Sequence, residues 1–156
     1  MSWVLIDTNL LLLLVVGRAR LGTIEAHKRL RSDYTPADHA LLETILSAAQ
    51  GVLTIPHVLA EVSNLARQID GPAKRDISEA FGRFIDQCVE VAIPSGSVVE
   101  GDDFVRLGLS DAVLLGLCSA GYETASVTLL TADEDLTRRA QSLGYDVVDL
   151  PGFRDG

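Results

Sequence analysis

Short aliphatic runs that alternate with segments of helical period constrain this chain more than any other feature. The runs are "WVLI", "VLTIP", "VEVAIP", "ASVTLLT" and "YDVVDLP", each bounded by Pro, Gly or polar residues. Runs of this kind read as strands covered on both faces. Between them, Thr35 and Pro36 read as an N-cap and first helical residue, opening a stripe of Leu41, Leu42, Ile45, Leu46 and Ala49. A second helix starts near Pro56 and buries Val58, Leu59, Val62, Leu65 and Ile69; Ile77, Ala80, Phe81, Phe84, Ile85 and Cys88 mark a third. An almost wholly apolar helix follows Gly108 and stops at Gly121, and the last runs from Ala132 to Gly144. Strands separated by helices need crossovers, which are right-handed. The expected fold is therefore α/β, a three-layer α/β/α sandwich with a mostly parallel sheet of about five strands. Ligands in such sheets bind beyond the carboxyl ends of the strands.

A chain of 156 residues suits one domain with one core, burying roughly 70% of its unfolded surface. With 47% hydrophobic and 22% charged residues and no repeat or biased tract, disorder is excluded as its ground state. Cys88 and Cys118 stand far apart and, with three scattered histidines, offer no zinc spacing; they read as buried thiols in a reducing cytoplasm. Leu10 to Val16 is an uninterrupted apolar run of seven residues, against the roughly 20 that span a bilayer. Asp7, Thr8 and Asn9 break it from the apolar residues before it, so no membrane association is expected. The net charge of −9 argues against a general electrostatic grip on nucleic acid. Yet five of the thirteen basic residues, Arg18, Arg20, Lys28, Arg29 and Arg31, fall within "GRARLGTIEAHKRLR", as a solvated helix surface or as a local basic face.

Four acids stand out by their settings. Asp7 ends the first strand and begins a helix, so it lies at the rim where sites form, although Asp is also a favoured N-cap. Glu61 falls at the edge of the buried stripe of its helix, which predicts a half-buried carboxylate or one whose head reaches water. Asp111 lies at the start of the apolar helix, where Ser110 reads as the cap. In "LLTADEDL", Thr131 to Glu134 matches a capping box and leaves Asp133 in the first turn. Each acid has an ordinary structural reading, but a parallel sheet brings all four segments towards one rim. Carboxylates gathered there repel one another and raise one another's pKa unless a divalent cation neutralises them. Oxygen ligands without Cys or His favour Mg²⁺ or Mn²⁺.

In order and setting, "LIDTNLLL", "VLAEV", "GLSDAVLL" and "LLTADEDL" resemble the PIN-domain ribonucleases, which include the VapC-type toxins of toxin–antitoxin pairs. The resemblance covers nearly the whole chain. It implies one PIN-like domain over residues 1–156, with a basic helical insertion around residues 17–35. It also implies a divalent-metal-dependent endoribonuclease that hydrolyses RNA phosphodiester bonds. Asp7, Glu61, Asp111 and Asp133 become its catalytic and metal-binding acids, with Asn9 and Thr131 as supporting polar residues and Asp135 as an outer candidate. Arg18, Arg20, Lys28, Arg29 and Arg31 then read as RNA-binding residues and Tyr34 as a stacking platform, while Trp3 reads as structural. Membership of the toxin type implies a homodimer and an antitoxin partner. A haloacid-dehalogenase-type phosphatase also places an Asp after its first strand, but needs a second acid two positions on, where this chain has Asn9. The stronger alternative is a non-catalytic PIN-like module that binds RNA or a protein and keeps its acids as helix caps.

Overall fold

The computed structural model describes residues 2–155. Along the chain run β1 (Trp3–Ile6), α1 (Thr8–Ala19), a 3₁₀ turn (Leu21–Glu25), α2 (Pro36–Ser47), β2 (Gly51–Thr54), α3 (Pro56–Ala66) and α4 (Pro72–Gln87). There follow β3 (Val89–Glu90), a second 3₁₀ turn (Ser95–Ser97), α5 (Asp102–Leu107), α6 (Leu109–Ala120), β4 (Val127–Thr131), α7 (Glu134–Ser142), β5 (Asp146–Asp149) and α8 (Leu150–Asp155). The strands form one all-parallel sheet in the order β3-β2-β1-β4-β5, an α/β architecture consistent with three layers. From the central β1 the chain steps outward through β2 to β3, then returns to the other side for β4 and β5. The strand order thus reverses between β1 and β4, and right-handed crossovers in opposite directions put helices on opposite faces. The gap beyond the carboxyl ends of β1 and β4 is the topological switch point.

The apolar run after Asp7 is a core helix. Every residue of α1 from Leu10 to Gly17 is buried, because α2, α3 and α4 pack around it while its remaining side faces the sheet. A helix enclosed on all sides needs no polar stripe, and each buried Leu or Val contributes about 1.5–3 kcal/mol. Gly17 lets α2 approach: a Cβ there would lie 2.1 Å from Cδ2 of His39, whose ring is buried and holds the Leu14 carbonyl through Nε2 at 3.3 Å. Trp3 is structural as expected, stacking edge-on against Tyr122 with ring centroids 4.8 Å apart. Among the described residues no helix is long and apolar enough to cross a membrane.

α2 starts as its sequence predicts, at Thr35 and Pro36, and the Thr35 N–H donates to Asp38 Oδ2 at 2.9 Å. Other expectations need correction. "VEVAIP" yields only Val89–Glu90 as an edge strand; beyond Val91, whose N–H still donates to the Thr54 carbonyl at 2.8 Å, the chain turns away towards Pro94. The last helix is not the one ending near Gly144, because α8 follows β5. The stretch 17–35 is helical only in part: α1 runs through Gly17 to Ala19, and turns follow the 3₁₀ segment. Tyr34 is a core residue rather than an exposed platform, and its enclosure rules out base stacking as it stands. Cys88 and Cys118 are half-buried, and burial pushes the Cys118 thiol up to about 11.

Candidate active site

Asp7 and Asp133 follow adjacent strands and play the same capping part. Each follows a strand, caps the next helix and accepts the backbone N–H three residues on: Asp7 Oδ1 from Leu10 at 3.1 Å, Asp133 Oδ1 from Leu136 at 2.8 Å. Ile6 pairs with Leu130 in the β1–β4 register, so Asp7 and Thr131 leave the sheet side by side. The Thr131 hydroxyl donates to Asp7 Oδ2 and accepts from the Asp133 N–H at 3.0 Å, linking the two acids through one buried side chain. This overturns the capping box predicted over Thr131 to Glu134, since Asp133 itself is the cap and Thr131 serves the acids. The N-terminal ends of α1 and α7 both point at this spot, and their partial positive charge favours anions there.

Asp111 approaches from α6. The expected cap at Ser110 is not used: Gly108, with φ of +94°, joins α5 to α6 and takes the N-cap position. Ser110, released from capping, donates its hydroxyl to Glu61 Oε1, while Thr8 Oγ1 donates to Glu61 Oε2 at 2.9 Å. Glu61 is exposed rather than half-buried, yet these two bonds turn its head towards the starts of α1 and α6. Neither Ser110 nor Thr8 was assigned this role from sequence; the only signal is a hydroxyl residue beside each acid, in "DTN" and "SD".

The electrostatics tie the acids together. Burial pushes Asp7 from 3.8 up to about 6, against the lowering effect of the Thr131 and Leu10 hydrogen bonds; the charge of Asp133 adds to the rise. Asp111 rises from 3.8 to about 7, first through burial and then through the charges of Asp133, Asp7 and Glu61. Desolvation outweighs the hydrogen bonds at Asp7, which marks a carboxylate lacking sufficient positive charge. Among the described residues no three His, Cys, Asp or Glu side chains close around a point at metal-ligand distance in these rotamers. The donor set fits a hard divalent cation in kind, being oxygen throughout, and in charge, since such an ion would lower both raised pKa values.

The remaining candidates lie apart or in a minor position. Asn9 is exposed in the first turn of α1. Asp135, in the first turn of α7, lines a cleft with Arg138 and Arg139. Arg18 lies eleven residues along α1 from Asp7, about 16 Å at helical rise, and is held by Glu43 through two bonds of 2.8 and 3.1 Å. Arg20 pairs with Asp76 at 2.6 Å. Lys28, Arg29 and Arg31 are exposed in the turns after the 3₁₀ segment. No family model matches the chain, and no curated protein matches it.

Proposed function

We propose that the chain is a divalent-metal-dependent endoribonuclease of PIN-domain type, with Asp7, Glu61, Asp111 and Asp133 as its acidic centre. One observation carries the reading: acids from four separate segments, coupled through their charges, approach the switch point of a parallel sheet. A structural reading accounts for Asp7 and Asp133 as caps. It does not account for Asp111, which caps nothing and whose carboxyl is raised to about 7 by burial and by its acidic neighbours.

Asp7, Asp111, Asp133 and Glu61 are the residues that would hold Mg²⁺ or Mn²⁺, and the bound ion would supply a lowered water pKa and positive charge for a phosphodiester under attack. The chain's own contribution is positional. Thr131 fixes the Asp7 carboxylate in its plane, the α1 and α7 caps fix the rotamers of Asp7 and Asp133, and Thr8 and Ser110 aim Glu61. Burial and its acidic neighbours raise the Asp111 carboxyl to about 7, and a bound cation would lower it.

The purified chain should cleave RNA only with Mg²⁺ or Mn²⁺, and Asp7→Asn should abolish cleavage with the fold intact, since Asn caps a helix about as well as Asp. Full activity in Asp7→Asn would defeat the assignment. The toxin form of this reading adds a homodimer and an antitoxin whose Arg or Lys side chains enter the acidic site. Light scattering across a concentration range checks the dimer, and a constant monomer mass would remove it.

A further inference from the structure

α5 and α7 face each other across a cleft of about 430 Å³. Helix faces that meet over a core are apolar, but here Asp103 and Arg106 of α5 oppose Asp135, Arg138 and Arg139 of α7. The α7 residues sit at three- and four-residue spacings, so they form one polar stripe opposite the buried Leu136, Thr137 and Ala140. Three guanidinium groups meet two carboxylates there, in a chain whose net charge is −9. Asp103 accepts Arg139 Nε at 2.7 Å, which orients that guanidinium and leaves its terminal N–H groups for another partner. Arg138 is held by Glu134 one turn back, and Arg106 has no ion-pair partner among the described residues. Asp133 caps this same α7, and Arg138 lies five residues further along it, a rise of about 7.5 Å along the helix axis.

We propose that this cleft binds the phosphodiester backbone of the RNA strand beside the bond to be cut, through Arg106, Arg138 and Arg139. The inference rests on the ribonuclease reading and supplies what that reading lacks. A polyanion drawn towards clustered carboxylates needs positive charge within reach, and planar guanidinium groups match phosphate oxygens in pairs. Arg18, about 16 Å along α1 from Asp7, and Arg20 beyond it lie farther along their helix from the acid that caps it than Arg138 does along α7. The cleft shares α7 with the acidic site, since Asp133 caps the helix whose Asp135, Arg138 and Arg139 line the cleft.

The test is binding of a labelled single-stranded RNA oligonucleotide in chelator, followed across salt concentration, with Asp7→Asn as the parent so that no cleavage intervenes. Arg106→Gln with Arg138→Gln removes two exposed charges and leaves the Arg139–Asp103 pair in place. The slope of log affinity against log salt should fall by about 1.4, at roughly 0.7 for each single-strand phosphate contact. Lys74→Gln with Arg75→Gln, an equal loss of charge on α4, should leave the slope within error, and melting checks that each variant folds. An unchanged slope in the Arg106/Arg138 variant, an equal fall in the α4 control, or no RNA binding by the parent overturns the proposal. Cleavage by the natural chain with Mn²⁺ is scored separately. Arginine-dependent binding without cleavage defeats the ribonuclease reading and keeps the cleft, whereas cleavage with an unchanged slope does the reverse.

Discussion

Asp7 carries two duties that pull its chemistry in opposite directions. As a helix cap it needs to be a good acceptor, and it receives the Leu10 N–H and the Thr131 hydroxyl. As a buried group next to other acids it resists ionisation, and burial wins, leaving its pKa at about 6. The sign of the resulting pH dependence follows from linkage. Asp7 and Asp111 keep their protons in the folded state to about 6 and about 7, while the unfolded chain releases them near 3.8. Their contribution is therefore fully present below the unfolded value and is lost as pH rises through that window. In chelator, Asp7→Asn should match the parent near pH 4 and become more stable than it as pH rises, by on the order of 3 kcal/mol at pH 8. Urea melts at several pH values would show this, and a difference that stays flat with pH would mean that Asp7 ionises freely in the fold.

At the scale of elements, α1 shows how one helix holds both core and site. Its first turn presents Asp7 and Thr8 to the rim, and the rest is enclosed by α2, α3 and α4. Gly17→Ala should cost about 1–3 kcal/mol by forcing His39 off its ring position, a strain of overpacking that a denaturant midpoint would register. No loss would mean that α2 slides away at no cost. The strands and longer helices were legible in sequence because their signals are strong and local: aliphatic runs for β1, β2, β4 and β5, and Thr35-Pro36, Pro56, Gly108 and Gly121 as boundaries. The six-residue α5 and α8 were not, because "DDFVRL" and "LPGFRD" are too short to show a period. Capping was misread for a different reason. Ser110 and Thr131 are good caps by local rules, but tertiary partners took their hydroxyls, Glu61 in one case and Asp7 in the other. Tyr34 looked exposed beside a basic stretch, and only the fold places it in the core.

Across the whole molecule, the sheet order accounts for the meeting of distant acids. Asp7 and Asp133 are brought together because β1 and β4, far apart in sequence, pair in parallel, with Glu61 and Asp111 carried in by helices on either side. Asp7, Asp111 and Asp133 could be named from sequence because each sits at a helix start, and Glu61 because it edges a buried stripe; their hydrogen-bond partners and the arginine cleft depend on packing between elements that no local pattern encodes. Like charges gathered at one rim weaken the fold, so under the proposed metal-binding reading a cation would add stability. The most direct measurement is the gain in unfolding free energy on adding Mn²⁺, compared between the natural chain and Asp7→Asn at pH 8. The natural chain should gain roughly 2.7 kcal/mol at a hundredfold excess of Mn²⁺ over its Kd, while Asp7→Asn starts more stable in chelator and gains much less. Equal gains in the two proteins would contradict the claim that these acids form one metal-dependent centre.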